Sequence, residues 1–363
     1  MKNSNKLIVL ACILSCSAMV QLAYAGSEAF SLCAEKFSHN DAERLKCFDN
    51  AAAPASAPVL LQSGTRAPQE DDEYAMPAGL PVPIVERSYL TRTWNLDDLT
   101  SRDESRLGRL VPHRQSYLLM RKTSNANSLP VSPAAGHTTL VSNDLDAMEA
   151  KFQLSFKADI GSQKDINFWD FKTLRVWGAY TQQSSWQVLN TRNSSPFRET
   201  NYEPELIATL GTGNASGLKM VNLGVAHQSN GHRLPESRSW NRVYVQGGWE
   251  WNNSTSILAR GWYRIPENPL QDDNPDITAY VGLADLVARW EPADKSQAAV
   301  LLLRNNLRLG QNRGFVQFDW SLPIALGNAA RLHAQVTSGF GESMIDYNHR
   351  QNTFGLGISF REW

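Results

Sequence analysis

What most limits the fold of this 363-residue chain is a period-two rhythm that runs from about residue 115 to the end. Phe152, Leu154, Phe156 and Ala158 alternate with Gln153, Ser155, Lys157 and Asp159. Leu174, Val176, Gly178 and Tyr180 alternate with Arg175, Trp177, Ala179 and Thr181. Val243, Val245 and Trp249 alternate with Arg242, Tyr244, Gln246 and Glu250. Further runs centre on 257–260, 280–288, 298–304, 315–321, 331–337 and 354–360. Successive side chains of a strand point to opposite faces, so this rhythm belongs to β-structure. About twelve segments of about ten residues can be counted. Joints such as Trp251-Asn252-Asn253-Ser254 and Leu326-Gly327-Asn328 separate them. No apolar run reaches the ~18 residues of a transmembrane helix.

Two all-β architectures share this rhythm. A soluble sandwich would bury its apolar face in a closed core and would need no export signal. A membrane barrel turns the apolar face to lipid and keeps the other face polar. The N-terminus favours export. Met1-Lys2-Asn3-Ser4-Asn5-Lys6 is basic, Leu7-Ile8-Val9-Leu10 opens an apolar stretch, and Ala23-Tyr24-Ala25 before Gly26 suits cleavage. Aromatic residues near segment ends (Trp249, Trp251, Trp262, Tyr263 and Trp290) suit interfacial girdles, and the chain closes on Phe360-Arg361-Glu362-Trp363. The expectation is a transmembrane antiparallel β-barrel of about 12 strands over 113–363, in a bacterial outer membrane. A net charge of -1 gives no electrostatic case for nucleic acid.

Three further segments precede the barrel. Residues 1–25 form the signal peptide and carry Cys12 and Cys16. Residues 26–50 keep Cys33 and Cys47, which in an oxidising compartment predict one disulfide around a small helical segment. Those two cysteines and His39 are too few for a zinc site. Residues 51–112 begin Ala/Pro-rich, continue through Glu70-Asp71-Asp72-Glu73, and read as a linker with a polar, helix-compatible lead-in.

Chemistry concentrates at His227-Gln228-Ser229-Asn230-Gly231. Strand parity puts His227 and Ser229 on one face with Val221, Leu223 and Val225. Carried across the hairpin from Val243 and Val245, the same parity puts Asn241 there too. A serine hydroxyl needs a histidine to take its proton, and the histidine needs a third group to hold its tautomer. Polar groups facing lipid are costly and call for a function. The backbone N–H after Ser229 and a cation in the loop are the candidate oxyanion stabilisers. Gln182 adds a further amide on a lipid-facing set, where polar groups find partners across chains. Arg198, Glu199, Arg238 and Arg242 suit loop or barrel-interior networks, with Arg242 in the lumen by parity.

These strings resemble outer-membrane phospholipase A. His227-x-Ser229-Asn230-Gly231 and Ser237-Arg238-Ser239-Trp240-Asn241-Arg242 carry the resemblance. It extends to the segments 194–204, 272–277 and 339–347, and covers about 115 to 363. It implies a twelve-stranded outer-membrane barrel that hydrolyses acyl esters of phospholipids and lysophospholipids at either chain position. It further implies a calcium requirement and activation by homodimerisation. Ser229 would be nucleophile, His227 base and Asn241 its orienting partner. Calcium would bind through the Ser237 hydroxyl, the His232 carbonyl and the partner subunit's Ser194, with Asp273 in a second, monomer-state site. The family has arginine at His232, a change that a backbone ligand tolerates. It has aspartate at Leu234, whose side chain offers no oxygen, although Glu236 is near. Gln182 would lie in the dimer interface. The alternative from another class is a non-catalytic porin or adhesin barrel.

Overall fold

The computed structural model describes residues 87–96, 110–324 and 330–360. The expected signal peptide, the Cys33–Cys47 disulfide, most of the linker and the Leu326-Gly327-Asn328 joint lie outside these residues. A short helix α1 (Tyr89–Trp94) precedes the strands β1 (Leu110–Pro112), β2 (Tyr117–Thr123), β3 (Met148–Phe168), β4 (Phe171–Trp186), β5 (Phe197–Gly211) and β6 (Gly217–Ser229). Then come β7 (Ser239–Trp251), β8 (Thr255–Ile265), a helical turn α2 (Thr278–Val281), β9 (Ala284–Trp290) and β10 (Ala298–Asn305). The chain ends with β11 (Gly314–Pro323), β12 (Ala330–Phe340) and β13 (Arg350–Phe360).

All pairings are antiparallel and, β1–β3 and β2–β13 apart, join sequence neighbours; β2 pairs both β3 and β13, so the sheet closes on itself. β1 also lies on β3, opposite Phe156–Ala158, just beyond the stretch that β2 occupies. β1 and β2 are therefore one barrel strand interrupted at 113–116, and the barrel has twelve strands. The interruption turns Arg114 inward: its guanidinium lies 2.9 Å from Glu203 and 2.7 Å from Glu205.

The burial pattern decides between the two all-β architectures. Leu206, Leu223, Val225, Val245, Val336 and Phe354 are exposed, while Lys151, Lys157, Glu203, Glu205 and Gln335 are buried. A soluble protein does the reverse. An apolar outside and a polar inside belong to a barrel in lipid. Loops are long at one end, as at 124–147, 230–238 and 266–283, and short at the other, as at 169–170 and 252–254. Outer-membrane barrels put long loops outside the cell and short turns in the periplasm.

Two ion clusters fill the lumen. Arg121, Lys151 and Arg198 meet Glu149, Glu342 and Asp346, with Lys151 Nζ 2.8 Å from Glu342 and Arg198 3.0 Å from both Glu149 and Asp346. Arg114, Arg242 and Arg260 meet Glu203, Glu205 and Asp285, with Arg242 2.8 Å from Glu203 and Arg260 2.6 Å from Asp285. Three cations match three anions in each, which is what lets so much charge be buried. Arg242 lies in the lumen as its parity predicts, 4.2 Å from the Trp240 ring centre.

Two sequence expectations change. Trp262 is not in a girdle: its parity is inward and it packs edge-on against Trp240 in the lumen. The alternation over 280–288 starts too early, because Tyr280 and Val281 belong to α2. Gly282, at φ 80, ends that turn where a Cβ would sit 2.4 Å from the Asn305 carbonyl oxygen. From the lead-in, α1 plugs the short-turn end of the lumen. Leu90 and Trp94 are buried, the Leu90 N–H donates to Glu250 at 3.1 Å, and Lys157 stands 3.5 Å above the Trp94 ring.

Glu342, in the loop after β12, tests the lumenal clusters. Burial alone would raise its carboxyl, but Arg121 and Lys151 overcome this and hold it at about 2. A depressed carboxylate stabilises the fold above its unfolded value, about 4.3, and that contribution is lost as pH falls toward the folded value. Guanidinium unfolding in detergent between about pH 6 and pH 3 should show this loss in the native protein. Glu342→Gln should start about 3–5 kcal/mol less stable at neutral pH, because Arg121 and Lys151 lose their partner. It should also lose less on acidification.

Candidate active site

The site grows out of the β6–β7 register. His227 pairs with Asn241 and Ser229 with Ser239, so the residues that parity selected are cross-strand neighbours on the outer face. His227 Nδ1 lies 2.8 Å from Asn241 Oδ1. Below them the same face is apolar, through Leu223, Val225, Val243, Val245 and Tyr263, all exposed. Ser229 and His227 are alternate residues about 7 Å apart along the strand, and their side chains are not hydrogen-bonded. Such contacts commonly tighten only with substrate in place.

The loop from Asn230 to Arg238 is held by one buried side chain. Asn230 Oδ1 accepts from the N–H groups of Arg238 at 2.9 Å and His232 at 3.3 Å. Its Nδ2 donates to the Glu236 carbonyl at 2.8 Å and to Glu199 at 3.3 Å. Gly231, at φ 66, passes so near Tyr202 that a Cβ would lie 3.2 Å from the ring. Asn230 thus anchors the segment that follows Ser229. The N–H after Ser229 does not serve as expected, because the Asn230 N–H donates to the Arg238 carbonyl at 3.0 Å. The next one, on Gly231, has no acceptor among the described residues.

Sequence reasoning missed Glu267. Asn241 Nδ2 donates to its Oε1 at 3.0 Å. Asn241 pairs with Ile265, the last residue of β8, and Glu267 continues the outward parity of Gly261, Tyr263 and Ile265. That parity could have found it. Burial pushes the Glu267 carboxyl up, against the opposing pull of Asn241 and Arg264.

Asp273 gathers the other side of the site. Its Oδ2 accepts from Ser237 Oγ at 2.8 Å and Ser239 Oγ at 3.2 Å, and its Oδ1 lies 3.0 Å from His137 Nε2. Ser237 and Asp273, expected in two different calcium sites, are thus hydrogen-bonded to each other. The His232 carbonyl oxygen accepts no hydrogen bond among the described residues. Hydroxyl, carboxylate and carbonyl oxygens are the donor types that a hard cation takes. The described residues hold no group of three or more His, Cys, Asp or Glu that could bind a metal, so hydroxyl and carbonyl oxygens would have to contribute. Leu234 is 64% exposed and offers no ligand, and Glu236 is engaged by His232 at 3.3 Å and by Asn143 at 2.8 Å. Ser194 follows a 3-10 turn in the β4–β5 loop and, among the described residues, is hydrogen-bonded to neither Ser237 nor Asp273.

Gln182 faces outward on the same row as Ser229: Gln182 pairs with Tyr202, and Tyr202 with Ser229. Its amide accepts from the Tyr180 hydroxyl at 3.1 Å and donates to Ser184 at 3.3 Å. Strands lie about 4.8 Å apart, so a partner seated on Gln182 would stand about 10 Å from Ser229.

Three comparisons place this geometry among known proteins. The family model for phospholipase A1 matches residues 90–360, which adds α1 to the region that the sequence strings suggested. A protein of Neisseria meningitidis serogroup B is 37% identical over 73% of this chain and 69% of its own length. Outer membrane phospholipase A from Escherichia coli, also solved as an active-site asparagine-to-alanine mutant, superposes with a TM-score of 0.57 at 34% identity, over 69% of this chain and 91% of that one. The Salmonella typhi outer membrane phospholipase dimer with bound calcium gives 0.58 at 35% identity, over 70% of this chain and 93% of that one.

Proposed function

Since the chain belongs to the outer membrane phospholipase A family and is a phospholipase of the bacterial outer membrane, we propose that it cleaves acyl esters of phospholipids and lysophospholipids, at either position, through Ser229, His227 and Asn241. The observation that carries the triad is the His227–Asn241 hydrogen bond on the lipid-facing wall, two residue pairs from Ser229 along the strands. In a soluble enzyme that wall would be the wrong place. Here it is where ester carbonyls and acyl chains arrive, against Val225, Val243 and Tyr263.

The reaction is an acyl transfer in two halves. Ser229 Oγ attacks the ester carbonyl carbon as His227 Nε2 takes the hydroxyl proton. The imidazolium is held by Asn241 Oδ1, a neutral dipole that stabilises it less than a carboxylate would. Collapse of the tetrahedral adduct breaks the bond to the glycerol oxygen, and His227 returns its proton to that leaving group. Water then attacks the acyl-serine with His227 again as base, and a fatty acid leaves. The oxyanion needs donors, and the Gly231 N–H is available. Ser237 and the His232 carbonyl would hold calcium, which would supply positive charge next to the developing oxyanion, with Asp273 in a second, monomer-state site. The calcium-bound dimer of the Salmonella typhi relative supports both the ion and the assembly. The partner subunit's Ser194 would complete the ion's ligands, since no hydrogen bond among the described residues joins Ser194 to Ser237. Gln182, on the row of the nucleophile, would lie in the contact between copies.

A porin reading finds little support, because ion pairs and tryptophans cross the lumen and α1 occupies one end.

Ser229→Ala should abolish fatty acid release from labelled phospholipid in detergent while heat-modifiable gel mobility persists; retained activity would contradict the triad. Excess chelator should silence the native protein, and added calcium should restore it. Activity that survives chelation would rule out the calcium requirement.

A further inference from the structure

We propose that Glu267 is a positioning residue of the catalytic apparatus, acting through Asn241 to fix the tautomer of His227. The inference rests on the Ser229–His227–Asn241 reading and deepens it. An asparagine amide has two ends of nearly equal shape and opposite polarity. With Oδ1 toward His227, the ring carries its proton on Nδ1 and leaves the Nε2 lone pair for the Ser229 hydroxyl. With Nδ2 toward His227, the preference reverses. Nδ1 becomes the acceptor, Nε2 carries the proton, and the base can no longer take one from serine.

Asn241 alone does not choose between these states. Glu267 does, because an ionised carboxylate only accepts hydrogen bonds. Its Oε1 lies 3.0 Å from Asn241 Nδ2, which leaves Oδ1 to face His227 Nδ1 at 2.8 Å. The three side chains come from three adjacent strands: His227 at the end of β6, Asn241 near the start of β7, and Glu267 two residues beyond β8. All have outward parity, so the chain His227–Asn241–Glu267 runs along the barrel wall. Pro266 stands between Ile265 and Glu267 and restricts the backbone there. Around the carboxyl lie Asn241, Arg264, Asp272 and Asp273, and Arg264 is already paired with Asp272 at 2.6 Å. The carboxylate also adds negative charge one residue away from the imidazolium that forms during the reaction.

A double-mutant cycle between Glu267 and Asn241 tests this, read by kcat and KM on a lysophospholipid in calcium-containing detergent. Glu267→Ala should lower kcat about tenfold or more with KM little changed, the scale of one charge-assisted hydrogen bond in the transition state. Glu267→Gln still offers an acceptor oxygen and should lose less. In an Asn241→Ala background, Glu267→Ala should cost nothing further. Heat-modifiable mobility of each variant reports a folded barrel. Unchanged kcat in Glu267→Ala overturns the proposal, as does a loss of the same size in both backgrounds. Ser229→Ala is assayed alongside. An inactive Ser229→Ala beside a fully active Glu267→Ala removes the positioning role alone, whereas an active Ser229→Ala removes the triad and this role with it.

Discussion

In hydrocarbon, backbone N–H and C=O groups have no water to bond, so a strand persists there only when both of its edges are paired. The pairing of β2 with both β3 and β13 meets that condition for this chain. The rest of the structure follows from closure. A closed antiparallel ring gives every strand one face to lipid and one to the lumen, and fixes which residues share a row. It is the ring that sets His227 opposite Asn241 and Ser229 opposite Ser239. A slip of one residue would turn the whole constellation inward. Catalytic geometry and barrel register are therefore one constraint.

Closure also creates a problem inside. Alternate positions that avoid lipid are polar, and twelve strands aim many charges at a narrow space. The chain solves this by balance within each cluster, as in Arg121, Lys151 and Arg198 against Glu149, Glu342 and Asp346. The loops are tied into these clusters. Glu342 and Asp346 come from the β12–β13 loop, and Arg198 opens β5. Packing of the lumen thus stiffens the long-loop end, where the site is. Asn230 does the same locally by binding four groups through one carboxamide.

Much of this was legible in sequence because period two survives translation into structure without loss. The strand number, the lipid-facing set and the sharing of one face by His227, Ser229 and Asn241 all follow from parity. Parity fails where the chain leaves the strand. Tyr280 and Val281 continue an alternating pattern, yet they belong to a helical turn stopped by Gly282. It also says which face, not what fills it. Trp262 reads as a girdle aromatic until its neighbours Trp240 and Arg242 place it in the lumen. Hydrogen-bond direction is the least legible property. Nothing in Asn230 announces that its N–H is spent on Arg238, or that Asp273 collects Ser237, Ser239 and His137.

That last property bears on how a site in constant contact with its substrate can stay quiet. The proposed nucleophile, base and orienting amide all come from one chain, with Glu267 hydrogen-bonded to the amide. What one chain does not complete is the oxyanion pole. The Asn230 N–H is consumed by the loop, leaving the Gly231 N–H and whatever positive charge Ser237 and the His232 carbonyl would hold. A Ser-His-Asn apparatus is short of charge twice over, because its third member is neutral and its oxyanion donors are few. On the proposed reading, the first shortage would be met within the chain by Glu267. The second would be met, on the same reading, by calcium and by the partner subunit's Ser194. Control can then act on the step that is incomplete without disturbing the part that must remain aligned.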